Sequence, residues 1–202
     1  FEQNIDRSQF NLPQEGFVLG CLSRIEKILP NIFDIWMEVL NKYNDTYLAL
    51  YISESKVINN LKSYCNEKNY DFRRIIFLNH LSHLDNLKRI STFDLYLDTF
   101  PYNGHTGISD SLFQSCVPTI SFNGKSFASR VSKSLLLTLD LQNLIAHSEV
   151  EYKEKIEFFY SNKTELKKIR NYLLNYKSKN INRMKTFTKD FENLMLKLVK
   201  KQ

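Results

Sequence analysis

Residues 93–121 read FDLYLDTFPYNGHTGISDSLFQSCVPTIS, and this stretch decides the fold of the chain. It begins with an apolar run of strand type that ends at Asp98, continues through a loop rich in turn-forming residues, and becomes helical in pattern from His105. The helical pattern breaks before Pro118, and residues 119–122 are again typical of a strand. The stretch therefore predicts a βαβ unit, the connection that builds parallel sheets.

The loop between this strand and helix has the features of an anion site. A glycine-containing loop that opens a helix leaves backbone N–H groups unpaired at the positive end of the helix dipole. Thr106 adds a hydroxyl donor and His105 an imidazole, while Asp110 is suited to accept hydrogen bonds from sugar hydroxyls. A plainer interpretation stays open beside this one, in which Gly104 only permits the turn and Thr106 only caps the helix.

Strand-like and helical patterns alternate along the rest of the chain as well. Apolar runs of strand type lie at residues 17–22, 46–52, 74–78 and 144–146, and helical patterns lie at residues 31–43, 54–69, 84–90, 127–137, 150–159, 163–176 and 180–199. In the helix of the quoted stretch we expect Leu112 on the buried side and Ser111 toward the opposite side. The alternation predicts a three-layer α/β sandwich with a mostly parallel, Rossmann-like sheet, extended by C-terminal helices.

Length and composition favour a single domain. The 202 residues are 43% apolar and 13% aromatic, which is enough for one packed core, and no linker rich in Pro, Gly and Ser divides them. We expect one domain over residues 1–202, with a core at about 12–175 and an amphipathic helix at 176–202. The apolar side of that helix needs a surface to pack on, and the domain's own sheet is the simplest candidate.

Other features of the sequence bear on the compartment. No apolar run approaches the length of a membrane span, and the first ten residues lack the basic-then-apolar order of a signal peptide. Cys21, Cys65 and Cys116 lie in apolar segments, which favours reduced, buried thiols in a cytoplasmic protein. Because the chain does not begin with Met, we expect it to be a piece of a longer protein.

The positive charge is concentrated near the C-terminus. The net charge is +6, and residues 163–202 hold 12 basic and 3 acidic residues, so the rest of the chain is slightly acidic. Lysines on the solvent face of long helices are the more common explanation of such a surplus. A surface that binds nucleic acid is the alternative.

Lys27 and the histidines invite two further interpretations. Lys27 lies just beyond the first predicted strand, and ligands of parallel α/β sheets gather outside the carboxyl ends of the strands. A solvated loop lysine is the alternative. His80 and His83 resemble part of a zinc site, but no third ligand completes the set, so we expect no metal here.

Three motifs carry a family resemblance. Asn103-Gly104-His105-Thr106, followed by Ser109-Asp110 and by SFASRV at 126–131, resembles the donor-binding half of the O-linked N-acetylglucosaminyltransferase family, which includes the plant SPINDLY-type O-fucosyltransferases. Further segments fall in the order and spacing of that family, at residues 12–13, 17–18, 27–36, 74–77 and 94–99. The resemblance covers roughly residues 12–175.

The resemblance implies a fold and an activity. The chain would be the C-terminal half of a two-domain, GT-B glycosyltransferase, which binds UDP-GlcNAc or a related nucleotide sugar and needs no cofactor. The family transfers the sugar to Ser or Thr of proteins with inversion and without a metal. The acceptor protein would bind through an N-terminal half that this chain lacks, so we expect the isolated chain to be inactive, and the last helix would cross toward that half. No nucleic acid and no membrane span are expected.

The resemblance also assigns site residues. Lys27 would stabilise the leaving diphosphate, with Arg24 beside it, and the loop and helix at 105–107 would meet the phosphates. Asp110 would bind the ribose hydroxyls, and Ser126 lies either at the edge of the pocket or in a helix cap. The full set of expected donor contacts is Arg24, Lys27, Leu81, Ser82, His83, Asn86, Leu87, Lys88, Arg89, His105, Thr106, Gly107 and Asp110.

Departures from the family pattern keep alternatives open. The family commonly has Gln at Arg24, a second Thr at Gly107, a Lys at His83 and a base-stacking His at Asn86. A GDP-sugar or another UDP-sugar therefore stays open as the donor. Two other classes also stay open: a non-catalytic module that binds a nucleotide sugar and regulates a partner, and an α/β protein that binds nucleic acid through its C-terminal helices.

Overall fold

The computed structural model of the chain describes residues 5–180 and 183–199. Its strands are β1 (Phe17–Cys21), β2 (Thr46–Tyr51), β3 (Ile75–Leu78), β4 (Leu95–Leu97), β5 (Thr119–Phe122) and β6 (Ile145–Ala146). Its α-helices are α1 (Pro30–Lys42), α2 (Ser55–Glu67), α3 (His83–Ser91), α4 (Thr106–Ser109), α5 (Val131–Thr138), α6 (Glu149–Ser161), α7 (Lys163–Lys179) and α8 (Arg183–Val199). The predicted alternation of strands and helices is confirmed.

The strands form one six-stranded sheet in the order β3-β2-β1-β4-β5-β6, and each neighbouring pair is parallel. The chain first moves outward from β1 to β3, then returns to β4 beside β1 and moves outward in the other direction. The carboxyl ends of β1 and β4 therefore meet at the point where the strand order reverses. In open parallel sheets this switch point is where ligands bind.

Helices cover both faces of this sheet, because right-handed crossovers place α1 and α2 on one face and α3, α4 and α5 on the other. The buried side of α1 includes Trp36, which is inaccessible to solvent. Its indole Nε1 donates to the Tyr152 hydroxyl of α6 at 3.2 Å, and that hydroxyl donates to the Asp98 carbonyl at 2.9 Å. These hydrogen bonds join two helices to the carboxyl end of β4.

The helix after the central loop differs from the expected regular helix. After α4 the chain forms a π-helical turn over Asp110–Gln114. Leu112 is buried as expected, but Ser111 is buried too, and its Oγ lies 2.7 Å from Thr119 Oγ1. The wider π-helical turn brings successive side chains to positions that a 3.6-residue period does not predict.

The C-terminal segment 176–202, expected as one amphipathic helix, is divided between the last turn of α7 and α8, and its residues 181–182 and 200–202 lie outside the described residues. The apolar side chains of α8 do not pack on the sheet, because Phe187 and Phe191 are 63% and 53% exposed. Packing on the domain's own sheet is therefore wrong for this helix. No helix in the described part of the chain is long and apolar enough to cross a membrane.

Candidate functional site

Lys27 lies at the switch point, in a 3₁₀ turn at residues 25–27 that follows β1. Its ammonium donates to the Asn103 carbonyl at 3.1 Å and lies 3.8 Å from the centroid of the Tyr102 ring. Burial lowers the pKa of Lys27, and the charge of Asp98 acts in the opposite direction. An ammonium has three N–H donors, so this one can contact the loop after β4 and an anion at the same time.

Asp98 fixes the conformation of the loop after β4 by accepting hydrogen bonds. Its side chain is completely buried, with Oδ1 accepting from the Gly104 amide at 2.6 Å and the Thr99 amide at 2.8 Å. Oδ2 accepts from the Ser121 hydroxyl at 2.6 Å. Burial raises the pKa of Asp98 to about 6. The sequence pattern marks Asp98 as a strand end, and a carboxylate directly after a buried strand is itself a signal.

The loop that Asp98 holds presents polar atoms that lack protein partners. The Asn103 side-chain amide donates to the Thr99 carbonyl at 2.9 Å, but its Oδ1 is buried without a partner in the described part of the chain. The same is true of His105 Nε2. Gly104 has no positive φ, and a Cβ there would lie 3.0 Å from Ile108 Cγ1, so a larger residue would have to displace the Ile108 side chain.

The first residues of α4 follow this loop. No side chain caps the helix at His105, so the interpretation of Thr106 as a cap is not what the structure shows, and Thr106 is exposed at the carboxyl edge. A Cβ on Gly107 would lie 3.3 Å from the Tyr96 hydroxyl. A side chain at this position would therefore lie tightly against the Tyr96 hydroxyl.

At the carboxyl ends of β2 and β3 lies a cavity of about 340 Å³ that contains five of the expected donor contacts. The cavity is lined by Leu22, Tyr51, His80, Leu81, Ser82, His83, Asn86 and Arg89. Leu87 is buried away from it, and Lys88 pairs with Asp85 at 3.1 Å. Tyr51, whose hydroxyl lies 3.4 Å from His80 Nδ1, was not predicted from the sequence, where His80 was considered only in the zinc interpretation. Their positions at the ends of β2 and β3 were the available signal, the same one that identified Lys27.

Arg89 is the buried cation of this cavity. Its side chain donates to the Asn79 carbonyl at 2.8 Å and to Asn86 Oδ1 at 2.6 Å, while its Nε is buried without a partner in the described residues. Burial lowers the pKa of Arg89. A buried guanidinium N–H that lacks an acceptor is suited to a carbonyl oxygen of a planar ligand.

Asp110 connects the cavity to α4. Its Oδ2 lies 3.8 Å from His83 Nδ1, and burial raises the pKa of Asp110 while the nearby His83 lowers it. Arg24 lies apart from these groups and lines a neighbouring cleft of about 270 Å³ together with Glu26 and Glu54. Within residues 5–180 and 183–199, no group of His, Cys, Asp and Glu side chains could hold a metal ion.

The parallel sheet, its strand order and the polar constellation at the switch point define a Rossmann-like α/β domain. The chain belongs to glycosyl transferase family 41, whose family model matches residues 4–191. This finding confirms the resemblance that the Asn-Gly-His-Thr motif indicates.

Two curated relatives show how much of such proteins the chain represents. It is 31% identical over 146 residues to the UDP-N-acetylglucosamine–peptide N-acetylglucosaminyltransferase of Caenorhabditis elegans, covering 72% of this chain and 13% of the relative. It is 30% identical over 173 residues to the probable UDP-N-acetylglucosamine–peptide N-acetylglucosaminyltransferase SPINDLY of Solanum lycopersicum, covering 77% and 17%. The chain thus spans less than a fifth of either relative.

Two solved structures share the fold. A mutant of the Thermobaculum terrenum O-GlcNAc transferase matches with a TM-score of 0.84 and 24% identity, covering 89% of this chain and 35% of the other. The pneumococcal O-GlcNAc transferase GtfA, solved with UDP and GlcNAc, matches with a TM-score of 0.56 and 15% identity, covering 94% and 37%. At these identities the matches establish the GT-B fold alone.

Proposed function

We propose that this chain is the donor-binding domain of a protein O-glycosyltransferase. It binds UDP-GlcNAc or a related nucleotide sugar, and the complete protein transfers the sugar to Ser or Thr hydroxyls with inversion and without a metal or cofactor. The observation that carries this proposal is the position of Lys27, whose ammonium lies against the loop after β4 at the switch point. An anionic group between them would be adjacent to the cavity lined by Arg89.

The base, the ribose and the diphosphate of a nucleotide sugar each have a counterpart in this arrangement. The base enters the cavity, where the unpaired Nε of Arg89 donates to a ring carbonyl. Asp110 accepts from the ribose hydroxyls, and the diphosphate lies between Lys27 and the loop that leads to Thr106. As the glycosidic bond breaks, negative charge grows on the departing diphosphate, and a fixed cation stabilises that charge.

The acceptor protein binds elsewhere in a longer protein, because the donor pocket by itself provides neither an acceptor groove nor closure over the sugar. We expect the purified 202-residue chain to transfer no sugar to a peptide. The three cysteines are buried free thiols, which agrees with the proposed cytoplasmic location.

A thermal-shift panel of UDP, GDP and their sugars tests the proposal. UDP or a UDP-sugar at one hundred times its Kd should stabilise the chain by about 2.7 kcal/mol. Stabilisation by GDP compounds alone would show that the donor carries GDP rather than UDP, and the proposed donor site would stand. A flat response to every compound at millimolar concentration would contradict the proposed function.

A further inference from the structure

We propose that Tyr102, His105 and Phe127 form an aromatic platform that receives the sugar of the nucleotide-sugar donor. The inference rests on the proposed function, because it assigns a further subsite to the same donor site. None of the observations that define the base cavity involves these rings, and Tyr102 and Phe127 are not among the contacts that the family resemblance assigns.

The three rings form a continuous row at the carboxyl edge of the sheet. The Tyr102 and His105 rings are stacked, with centroids 5.4 Å apart and an interplanar angle of 21°. The Phe127 ring meets His105 edge-on, with centroids 6.1 Å apart. Tyr102 is 46% exposed and Phe127 74% exposed. Rings this exposed contribute little to the core. Phe127 offers most of its surface to a ligand, whereas the Tyr102 ring is partly covered by His105 and by the Lys27 ammonium.

Hydrogen bonds hold the row in place. The backbone N–H of Asn103 donates to the Ala128 carbonyl at 2.9 Å and so connects the loop after β4 to the turn after β5. The Thr99 hydroxyl donates to the Tyr102 carbonyl at 2.7 Å. Because the two segments that carry the rings are already fixed to each other, a ligand would not have to order them.

The position of the row follows the order of groups in a nucleotide sugar. The base cavity lies at the ends of β2 and β3, Lys27 and the loop after β4 lie at the centre, and Phe127 follows β5. In the ligand the diphosphate connects the nucleoside to the sugar. With the base over β2 and the diphosphate at Lys27, the sugar extends toward β5, about 14 Å or three strand spacings from Tyr51.

The chemistry of the platform suits a sugar ring. The C–H groups on one face of a pyranose are weakly positive and favour the negative face of an aromatic ring. His105 adds a polar atom to the row, since its Nε2 is buried without a partner in the described residues and can bond a sugar hydroxyl. Tyr102 also contacts the Lys27 ammonium, so the platform begins directly beside the diphosphate site.

Calorimetry with UDP and UDP-GlcNAc on the intact chain tests this inference. Phe127→Ala is the main variant, because Phe127 does not touch Lys27, and Tyr102→Leu is the second. In both we expect the ratio of the UDP-GlcNAc Kd to the UDP Kd to rise about threefold to tenfold, the change that matches an aromatic contact. Phe158→Ala, which removes a 49% exposed ring from α6, is the matched control and should leave the ratio unchanged.

The outcomes separate this inference from the proposed function. If the wild-type chain binds UDP but the ratio is unchanged in both platform variants, the platform is overturned and the donor site stands. Binding of UDP without binding of UDP-GlcNAc also overturns the platform. If the wild-type chain binds neither compound, the proposed function fails and the platform fails with it. Melting curves confirm that each variant is folded.

Discussion

The two ends of the sheet differ in whether their polar side chains have hydrogen-bond partners within the protein. At the amino end lies a groove of about 410 Å³, larger and more basic than the cavity of about 340 Å³ at the carboxyl end. Its basic lining residues are Arg7, Lys163, Lys167, Arg170 and Lys177. By volume and charge alone, this amino-end groove would be the better candidate for an anion site.

The hydrogen bonds of the basic side chains favour the carboxyl end over the amino-end groove as the anion site. Arg7 donates to the carbonyls of Thr92 at 2.9 Å and Gly16 at 3.1 Å and pairs with Asp94 at 2.7 Å. Arg170 donates to the carbonyls of Ser91 and Phe93. These arginines therefore stabilise the turn between α3 and β4.

At the carboxyl end, by contrast, buried side-chain atoms lack partners in the described residues, namely Arg89 Nε, Asn103 Oδ1, His105 Nε2 and Asn123 Oδ1. Among the described residues, Thr46 Oγ1 at the start of β2 shares this property. The unpaired buried atoms therefore support the carboxyl end, rather than the larger basic groove, as the proposed ligand site.

Arg170→Ala should have the largest effect on stability. Two carbonyls at the end of α3 lose their donor, at about 1–3 kcal/mol each, so we expect the free energy of unfolding to fall by about 3–5 kcal/mol. Denaturant titration measures this change. Lys167→Ala, an exposed position on the same groove, is the control and should change stability by less than about 0.5 kcal/mol. An Arg170 variant that stays stable but loses UDP affinity would instead place the anion site in the amino-end groove.

Asp98→Asn tests the organisation of the carboxyl end through pH. The pKa of Asp98 is about 6 in the folded chain against 3.8 as the ordinary value, so between these pH values the folded state holds a proton that the unfolded state has lost. The stability of the wild type relative to the variant should therefore fall as the pH rises from about 4 to about 6, by on the order of 3 kcal/mol for two pKa units.

The control for this pH series is Asp85→Asn. Asp85 is half-exposed, and hydrogen bonds from Ser82 and Lys88 lower its pKa, so its contribution to stability should grow with rising pH. Denaturation at several pH values compares the two variants. Parallel curves for Asp98→Asn and the wild type would show that Asp98 is not a buried carboxyl of this kind.

Lys27→Ala tests whether the cation at the carboxyl end serves a ligand. UDP binding should weaken by about 1.5–3 kcal/mol, the range for a charge-assisted hydrogen bond, while uridine binding should barely change because uridine has no phosphate. Calorimetry measures both ligands. Lys125→Ala removes an exposed positive charge after β5 and serves as the control for net charge. Equal losses for UDP and uridine would assign Lys27 a structural role like that of Arg170.

The fold could be predicted from the sequence because its signals are local. Apolar runs such as 17–22 and 46–52 are buried strands, and the turn residues between 98 and 105 mark the loop that opens a helix. The π-helical turn and the burial of Ser111 could not be predicted, since they depend on packing against Thr119. The exposure of α8 could not be predicted either, because an amphipathic pattern does not identify the surface that covers it.

The candidate site was predicted less completely, for a similar reason. Lys27 follows from the rule that ligands gather beyond strand ends, and the same rule applied to Tyr51 would have added it. Asp110 follows from its place one turn into the helix after the loop, where a carboxylate can accept from sugar hydroxyls. The contact between Lys27 and the Tyr102 ring joins residues 75 positions apart in the chain, and no local pattern encodes it. The engagement of Arg7 with the turn before β4 is equally non-local.

Ser126→Ala should have the smallest effect, and it tests whether hydrogen bonding or position decides the role of a residue. Ser126 lies at the carboxyl end, near the proposed site, and the sequence left open whether it borders the donor pocket or caps a helix. In the structure its Oγ accepts from the Ser129 amide at 3.3 Å and lies 2.9 Å from Ser129 Oγ, so it is satisfied within its own turn. It therefore resembles the arginines of the amino end rather than Asn103 or His105. We expect the variant to lose about 0.5–1 kcal/mol of stability, the cost of a lost cap, and to bind UDP as the wild type does. Denaturation and calorimetry on the same preparation measure both quantities. A loss of UDP affinity at unchanged stability would place Ser126 in the donor pocket and would show that position at the carboxyl end outweighs the presence of a protein partner.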